Sequence, residues 1–281
     1  MTLSEHPGFL QIQPPGPFSL HHTFECGQCF RFVPHPKDGY HGVAFGKYLH
    51  IWQRNDSLFL SCTRSEFEST WLRFLDLTRN YHDIELLLSC DPLLEQAVQF
   101  GRGLHILAQD PWETLCSFIL SQCCNIPRIR SMIDTLCRLF GEPFSACGTD
   151  CFAFPSPQRL ALCTPDDLAP VRAGYRAKYL ISAAQSVCSG FDLLRLQTLS
   201  TQDAREQLMS LPGVGRKVAD CVLLFGLQKL DAFPVDTWMK KAQSLWPSGF
   251  PQHLFGETAG IAQQYIFHYV RSQNSPKKAA K

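Results

Sequence analysis

The 281-residue sequence has no run of eighteen consecutive apolar residues and no leader in which a charged segment precedes an apolar one. The first absence excludes an ordinary transmembrane helix, and the second gives no indication of a secretory signal. The sequence also lacks a large excess of either charge, because 26 basic and 25 acidic residues leave a formal net charge of +1. Global charge therefore gives no support for nucleic-acid binding, which would need a local patch.

Hydrophobic residues make up 45% of the sequence, which is ample for the core of a globular protein with one or two domains. The thirteen cysteines are scattered and odd in number. In a chain without a secretory signal, this pattern favours buried, reduced thiols over a framework of disulfides. We expect an intracellular protein.

The most informative stretch is Leu-Pro-Gly-Val-Gly-Arg-Lys-Val-Ala-Asp-Cys at residues 211–221. Gly213 and Gly215 flank a valine, which predicts a tight hairpin between two helices because glycine tolerates the positive φ of such a turn. The second helix has one apolar face and begins with Arg216 and Lys217. Free main-chain amides at its start would form a cradle for phosphate.

Lys217 gives this hairpin a possible catalytic function. In the first turn of a helix, the helix dipole and any desolvation disfavour the charged form of a lysine. A neutral amine can attack an electrophilic carbon and form a Schiff base. Asp236 follows nineteen positions later at a predicted helix start, from which its carboxylate could stabilise a developing positive charge. Taken alone, Lys217 could be a solvated lysine and Asp236 an ordinary N-cap.

Together with Pro-Val-Asp at residues 234–236, this stretch resembles the helix-hairpin-helix DNA glycosylases, and among them the 8-oxoguanine DNA glycosylases with a catalytic lysine. Weaker similarities extend over nearly the whole chain. The resemblance implies an α+β fold in which an N-terminal antiparallel β domain packs on a larger, all-helical domain, with the site in the cleft between them. We place the β domain with its closing helices at residues 1–90, the helical glycosylase domain at 91–272 and a disordered tail at 273–281.

Local patterns agree with this architecture. Residues 18–62 predict an antiparallel β meander, and from residue 66 onward the periodicity is helical. Aspartate-proline pairs at 91–92 and 110–111 indicate helix starts with a capping carboxylate and proline in the first turn. The stretch 141–157 is interpreted as a connection. The strands of the meander are expected at 18–33, 40–45, 48–52 and 58–62.

The segment Cys-Gly-Gln-Cys-Phe-Arg at residues 26–31 allows two interpretations. Its two cysteines could form half of a zinc site with Cys147 and Cys151, although the second pair lacks the spacing of a zinc knuckle. The resemblance instead implies that the backbone carbonyl of Gly27 accepts the N7 hydrogen that 8-oxoguanine has and guanine lacks. A carbonyl can make this discrimination without a side chain.

Two segments resemble the elements by which this family enters the duplex and contacts the cytosine that has lost its partner. The first follows a buried helix and contains Cys123, Asn125 and Arg128. Where the family has an asparagine this chain has Cys123, whose thiol is only a weak donor, so we expect a softened preference for cytosine. The second contains Tyr175 as an aromatic wedge and Arg176 as a second arginine for cytosine. Without the resemblance, this pair would be interpreted as a core aromatic and a solvated cation.

The resemblance also implies a pocket for the extruded base. Cys221 lies one helical turn after Lys217, and Gln263 and Phe267 are four residues apart on the last predicted helix. Cys221 and Phe267 would sandwich the base, and Gln263 would bind its Watson–Crick edge. Trp238 stands where relatives commonly have a histidine that contacts phosphate, which is a second departure from the family pattern.

We therefore expect a bifunctional base-excision repair enzyme. Lys217 would displace 8-oxoguanine from C1′ through a Schiff base, β-elimination would then nick the strand, and Asp236 would stabilise the cationic transition state. The partner would be double-stranded DNA with 8-oxoguanine opposite cytosine. We expect the protein to act as a monomer and not to bind a membrane. No cofactor is required, although the hairpin carbonyls of Met209, Leu211 and Val214 could hold a cation, as in relatives.

Two alternatives remain open. Related glycosylases for other damaged bases share the hairpin, but many carry four clustered cysteines for an iron–sulfur cluster after it. No cysteine follows Cys221 here, so we expect no such cluster. A helix-hairpin-helix protein could also bind DNA without catalysing a reaction. The presence of Lys217 and Asp236 argues against this alternative. The protein is expected with DNA, in the cytoplasm or nucleoid of a bacterium or in the nucleus of a eukaryote.

Overall fold

The structure, a computed structural model, describes residues 1–246 and 255–274. An antiparallel sheet comes first along the chain, and most of the regular structure after it is helical. This order confirms the α+β class, with a β part followed by a helical part. Residues 273 and 274 belong to the last helix, and the rest of the predicted tail lies outside the described residues.

The sheet has six strands in the order β1-β2-β6-β5-β4-β3, and all neighbouring strands are antiparallel. The predicted meander over 40–62 is confirmed, because Ile51 pairs with Tyr40 on one side and with Leu60 on the other. A separate two-stranded hairpin follows much later in the chain. The strands are β1 Thr2–His6, β2 Phe9–Gln13, β3 Val33–Pro34, β4 Tyr40–Ala44, β5 Lys47–Arg54, β6 Ser57–Leu60, β7 Pro143–Ala146 and β8 Thr149–Phe152.

The helices include two with π-helical turns, over Phe67–Trp71 between α2 and α3 and over Val222–Gly226 after α11. No helix among the described residues has both the length and the apolar character needed to cross a membrane. The α-helices are α1 Leu20–Glu25, α2 Arg64–Glu66, α3 Leu72–Phe74, α4 Tyr81–Leu88, α5 Pro92–Gly101, α6 Pro111–Leu120, α7 Ile126–Phe140, α8 Pro157–Ala161, α9 Arg176–Cys188, α10 Thr201–Met209, α11 Arg216–Cys221, α12 Thr237–Gln243 and α13 Ala259–Asn274.

The strand predicted over 18–33 is wrong, because most of its first half is helix α1. The Ser19 side chain accepts a hydrogen bond from the His22 amide at 3.3 Å and so caps this helix. Phe24 is then buried against Phe32, with the two ring centroids 4.7 Å apart. A helical turn followed by an irregular segment places both rings in one core, which outweighs the local preference of these residues for strands.

Other strands were not predicted from the sequence. Strand β1 is almost entirely exposed, so it lacks the apolar alternation that indicates a half-buried strand. The stretch 141–157, interpreted as a connection, contains the β7–β8 hairpin, whose first strand likewise has no fully buried residue.

Several helix starts follow the predicted capping pattern. The Asp91 carboxylate accepts from two amides of α5, and the Asp110 carboxylate accepts from the Glu113 amide of α6 at 2.8 Å. Asp236 caps α12 in the same way, through the Met239 amide at 2.8 Å. These carboxylates satisfy amides that have no partner within their own helices.

Two hydrophobic cores form, one beneath the sheet and a larger one among the helices. Helix α1 and the segment after it lie where the two cores meet, since Phe24 belongs to the first core and Cys26 to the second. A histidine pair joins α1 to the last helix, with the partly buried His22 Nδ1 3.0 Å from the buried His268 Nε2. The irregular segment after α1 is therefore held against the helical part.

We expect acid to destabilise this fold through the histidine pair. Burial, and next to it the neighbouring histidine His22, lowers the pKa of His268 to about 3, and burial followed by His21 lowers the pKa of His22. Imidazoles of the unfolded chain take up protons below a pKa of about 6.5. In the folded protein His268 stays neutral until the pH approaches its pKa of about 3, and the lowered pKa of His22 delays its protonation as well. The contribution of the neutral histidines to the free energy of unfolding is therefore complete above about pH 6.5 and is lost as the pH falls toward 3. The free energy of unfolding falls by about 1.4 kcal/mol per pH unit for each proton that the unfolded chain binds and the folded protein does not.

Urea unfolding measured between about pH 7 and pH 5 tests this expectation. The variant His268→Asn, which keeps a hydrogen-bonding group but does not titrate, should show a smaller fall in unfolding free energy than the parent. Parallel pH curves for the two proteins would contradict it.

Candidate active site

A small cavity of about 50 Å³ lies where α6, α11 and α13 meet the segment after α1. All six residues predicted for catalysis and base binding line it, although they are distributed over most of the chain. The lining residues are Gly27, Phe118, Lys217, Cys221, Phe225, Pro234, Asp236, Gln263, Gln264 and Phe267.

The Lys217 side chain extends from the first turn of α11 toward the last turn of α6. Its Nζ donates to Ser121 Oγ at 3.3 Å and lies 5.0 Å from the centroid of the Phe118 ring. The Ser121 hydroxyl itself donates to the Phe118 carbonyl at 2.8 Å, so its lone pairs face the lysine. The amine is thereby directed into the cavity from a fixed position.

Cys221 and Asp236 lie in the same cavity as the lysine. Burial raises the pKa of the Cys221 thiol to about 11, and the nearby positive charge of Lys217 opposes this only in part. The thiol is therefore neutral at neutral pH and presents an uncharged, polarisable surface. Asp236 Oδ1 accepts the Met239 amide at 2.8 Å, which fixes the carboxylate at the helix start.

Gln263 and Phe267 form the wall of the cavity that α13 contributes. Gln263 is 3% exposed. Among the residues that the structure describes, its buried Oε1 has no hydrogen-bond partner. A buried amide oxygen without a partner is costly, unless a ligand donates to it. Gly27, with a φ of +84°, closes the cavity beside Phe267, since a Cβ on this glycine would stand 3.5 Å from that ring.

The hairpin before Lys217 is built as predicted. Gly213 has a φ of +80°, and a Cβ at this position would stand 2.2 Å from the Tyr179 ring. Gly215, in contrast, has a φ of −86° and acts as the N-cap of α11, with no atom within 4 Å of a Cβ built there. Gly213 therefore supplies the positive φ of the turn, because one such residue suffices to reverse the chain.

The three carbonyls predicted to hold a cation come from this same turn. The Leu211 carbonyl accepts the Val214 amide at 3.0 Å, which leaves it one lone pair. Neutral backbone oxygens from a single turn are a donor set that hard cations accept. A cation at Met209, Leu211 and Val214 stays a prediction.

The first group of residues predicted to enter the duplex lies outside the cavity, on the loop between α6 and α7 and in the first turn of α7. Cys123 is exposed and has a φ of +52°, a conformation in which asparagine is several-fold enriched. Asn125 caps α7, since its Oδ1 accepts the Arg128 amide at 3.0 Å. Asn125 and Arg128 are both exposed, so their side chains can be reached by another molecule.

Tyr175 and Arg176 are placed differently from each other. Tyr175 is 52% exposed, whereas Arg176 is only 5% exposed and lies 4.5 Å from the centroid of the Tyr175 ring. The guanidinium donates to the carbonyls of Gln122 and Ala173. Arg176 therefore ties this segment to the α6–α7 loop, and a contact between Arg176 and cytosine stays a prediction.

The alternative zinc site is wrong. Cys26 and Cys29 are both buried, and Cys147 is exposed on the turn of the β7–β8 hairpin. Within residues 1–246 and 255–274, these thiols do not form a group of three whose ligand atoms lie within 4.8 Å of one another. Two cysteines two residues apart do not make a metal site when the fold separates them from further ligands.

Several residues that line the cavity or contact Lys217 were not identified from the sequence. Phe118 and Ser121 lie three residues apart at the end of α6, and their spacing together with the polar serine in a buried run was a usable signal. Gln264 carried no separate signal, because it directly follows Gln263 and faces a different neighbour, the Cys26 carbonyl at 2.9 Å.

Comparisons with known proteins agree with this arrangement. Residues 12–115 match the family model of the 8-oxoguanine DNA glycosylase N-terminal domain, and residues 116–249 match that of the HhH-GPD superfamily base excision DNA repair proteins. The fold and the lysine-containing cavity define the class: the chain is a helix-hairpin-helix base-excision DNA glycosylase.

Individual relatives narrow the class. A probable N-glycosylase/DNA lyase of Methanothermobacter thermautotrophicus is 32% identical over 70% of this chain and 72% of its own length. The N-glycosylase/DNA lyase OGG1 of Arabidopsis thaliana is 32% identical over 87% of this chain and 75% of its own. The Clostridium acetobutylicum 8-oxoguanine glycosylase/lyase, solved with double-stranded DNA that carries cytosine opposite 8-oxoguanine, superposes with a TM-score of 0.92 at 36% identity, covering 98% of this chain and 99% of its own. The chain belongs to the 8-oxoguanine DNA glycosylase family.

The two hairpin glycines should respond differently to alanine. We expect Gly213→Ala to lower the free energy of unfolding by at least about 2 kcal/mol, because positive φ is strained for alanine and the new methyl group would overlap the Tyr179 ring. Gly215→Ala should change it by less than about 0.5 kcal/mol, since the lost N-cap preference and the reduced freedom of the unfolded chain largely offset each other. Urea denaturation of both variants measures the difference, and equal losses would refute this account of the turn.

Proposed function

We propose that this protein excises 8-oxoguanine from double-stranded DNA and then nicks the abasic strand, as the names of its relatives describe for them. It acts as a monomer, and its substrate is 8-oxoguanine that lies opposite cytosine in the duplex. The observation that carries the proposal is the cavity that one lysine amine shares with a carboxylate, a neutral thiol, an aromatic ring and a buried amide oxygen. That amide oxygen has no hydrogen-bond partner among the residues that the structure describes.

The cavity suits a flat heteroaromatic base that donates hydrogen bonds. Cys221 and Phe267 cover the two faces of the base, and Gln263 Oε1 accepts from its Watson–Crick edge. The Gly27 carbonyl accepts the N7 hydrogen, which guanine does not have. Since these groups are enclosed by helices, a base can reach them only after it has been extruded from the duplex.

The chemistry follows from the position of Lys217. The amine in its deprotonated form attacks C1′, the bond to the base breaks, and the departing base takes the electron pair and then the proton that the bound amine loses. As the sugar ring opens, O4′ takes the second amine proton, which leaves an imine between C1′ and Nζ. Loss of a proton from C2′ then expels the 3′ phosphate, which breaks the strand. Asp236 stabilises the positive charge that develops on the sugar before the new bond is complete.

The hairpin and the exposed loops form the DNA-binding surface. The space around Gly215 allows a phosphate to approach the amides at the start of α11, where a side chain would obstruct it. Gly213 shapes the turn, and the carbonyls of Met209, Leu211 and Val214 hold a cation that reduces repulsion between phosphate and backbone oxygens. Cys123, Asn125, Arg128, Tyr175 and Arg176 form the part that faces the opposite strand.

The first test is covalent trapping with borohydride on a duplex that contains 8-oxoguanine opposite cytosine. We expect Lys217→Gln to abolish the trapped complex and to retain DNA binding, because the hairpin amides and the exposed loops are unchanged. Arg216→Gln is the matched control, since it removes the adjacent positive charge from a side chain that is 76% exposed. An equal yield of trapped complex from Lys217→Gln would exclude Lys217 as the nucleophile.

The second test concerns Cys123. We expect Cys123→Asn to increase the preference for cytosine, because the added carboxamide supplies a polar contact worth roughly 1 to 3 kcal/mol and asparagine suits the left-handed backbone at this position. Single-turnover excision of 8-oxoguanine opposite each of the four bases measures the preference in both proteins. Cys123→Ser, which changes polarity without adding a carboxamide, controls for the loss of the thiol. An unchanged profile in the asparagine variant would remove Cys123 from the opposite-strand contacts.

A further inference from the structure

Helix α13 presents two adjacent rows of side chains to the base-binding part of the site. Gln263 and Phe267, four residues apart, line the cavity. Gln264, His268 and Arg271 follow at spacings of four and three, so they share the neighbouring face of the helix. Each of these three contacts α1 or the segment directly after it. Helix α13 thus carries both the residues proposed to contact the base and the residues that hold the segment around Gly27 on the other side of the cavity.

Two hydrogen bonds from the second row hold the peptide carbonyls that precede Gly27. Gln264 Nε2 donates to the Cys26 carbonyl at 2.9 Å, and Arg271 Nη2 donates to the Glu25 carbonyl. Gln264 is 2% exposed, so solvent does not compete for its bond. The chain that enters Gly27 is therefore fixed relative to α13.

The chain that leaves Gly27 is held from another direction. The Gln28 carbonyl accepts from Gln109 Nε2 at 2.7 Å, and the Gln28 side-chain oxygen accepts the Leu107 amide at 2.9 Å. Gly27 itself lies against the guanidinium, because a Cβ at this position would stand 2.9 Å from Arg271 Nη1. The direction of the Gly27 carbonyl consequently depends on contacts made by neighbouring residues.

We propose that Gln264 and Arg271 are positioning residues that direct the Gly27 carbonyl at the N7 hydrogen of the base, and thereby determine the preference for 8-oxoguanine over bases that lack this hydrogen. The inference rests on the proposed function. Its physical basis is that a hydrogen bond weakens steeply when its distance or angle changes. A small shift of the segment around Gly27 would therefore remove the discrimination between bases with and without the N7 hydrogen.

The two residues differ in what else they support. Gln264 touches the loop, whereas the Arg271 guanidinium also lies 5.5 Å from the centroid of the Phe267 ring. Gln264 also lines the cavity, so only a replacement of similar length, such as methionine, isolates its effect on recognition of the N7 hydrogen. Loss of Arg271 should in addition weaken the stacking of any base. Lys217 and Asp236 lie on α11 and at the start of α12, so neither change alters the position of the nucleophile.

The test compares binding of two duplexes, one with 8-oxoguanine and one with its 7-deaza analogue, in which a CH2 group that cannot donate a hydrogen bond replaces N7–H. Lys217→Gln serves as the background so that the DNA stays intact, and fluorescence anisotropy gives the ratio of the two dissociation constants. The variants are Gln264→Met, which is similar in length and lacks the donor, Arg271→Met, and the milder Arg271→Lys. Tyr269→Phe is the control on the same helix, since its hydroxyl contacts Gln96 instead.

We expect the background protein to prefer 8-oxoguanine by about 10-fold, the value of one hydrogen bond, and Gln264→Met and Arg271→Met to reduce the ratio toward one. Arg271→Lys should give an intermediate ratio, and Tyr269→Phe should leave it unchanged. If both duplexes bind less tightly by the same factor, the residues serve stability alone and the inference is overturned. A background protein without any preference would overturn it as well. Failure of the unmodified protein to excise 8-oxoguanine would instead disprove the proposed function.

Discussion

The contacts that Ser121 and Phe118 make with the Lys217 amine are the interaction on which the rest of the site depends. A lysine side chain has many rotamers, and fixing its amine opposes considerable conformational entropy. Ser121 and Phe118 supply that restraint from the last turn of α6. Helix α6 is in turn placed by its contact with the π-helical turn after α11, where Phe118 stacks on Phe225 with centroids 5.5 Å apart. The π-helical turn and Lys217 belong to one continuous helical segment, so the helix that carries the lysine also positions α6, which restrains its amine.

Much of the fold could be predicted from the sequence, because its signals are local. The capping aspartates, the prolines in first helical turns and the glycine turn each act over a few residues, and the structure has them at the predicted positions. Strand alternation was equally informative where one face is buried, as in β5. The prediction failed at α1, where burial of Phe24 against Phe32 decides the conformation, and at β1, which buries almost nothing.

The site was only partly predictable, for a related reason. The predicted catalytic and base-binding residues were identified by resemblance, and the structure brings them into one cavity. Supporting residues such as Gln264 and Arg271 act between elements distant in sequence, and no spacing along the chain reveals such contacts. For Arg176 the resemblance identified the position, but the structure shows a different contact from the one expected. Its guanidinium donates to the Gln122 carbonyl of the adjacent α6–α7 loop.

The buried oxygen of Gln263 has a consequence for the stability of the DNA-free protein. This atom has no hydrogen-bond partner among the described residues, and an unsatisfied buried acceptor costs about 1 to 3 kcal/mol. Replacing the carboxamide by an apolar group of the same shape would remove that cost. The site thus gives up folding free energy that an apolar wall would retain, which is a trade-off between stability and function.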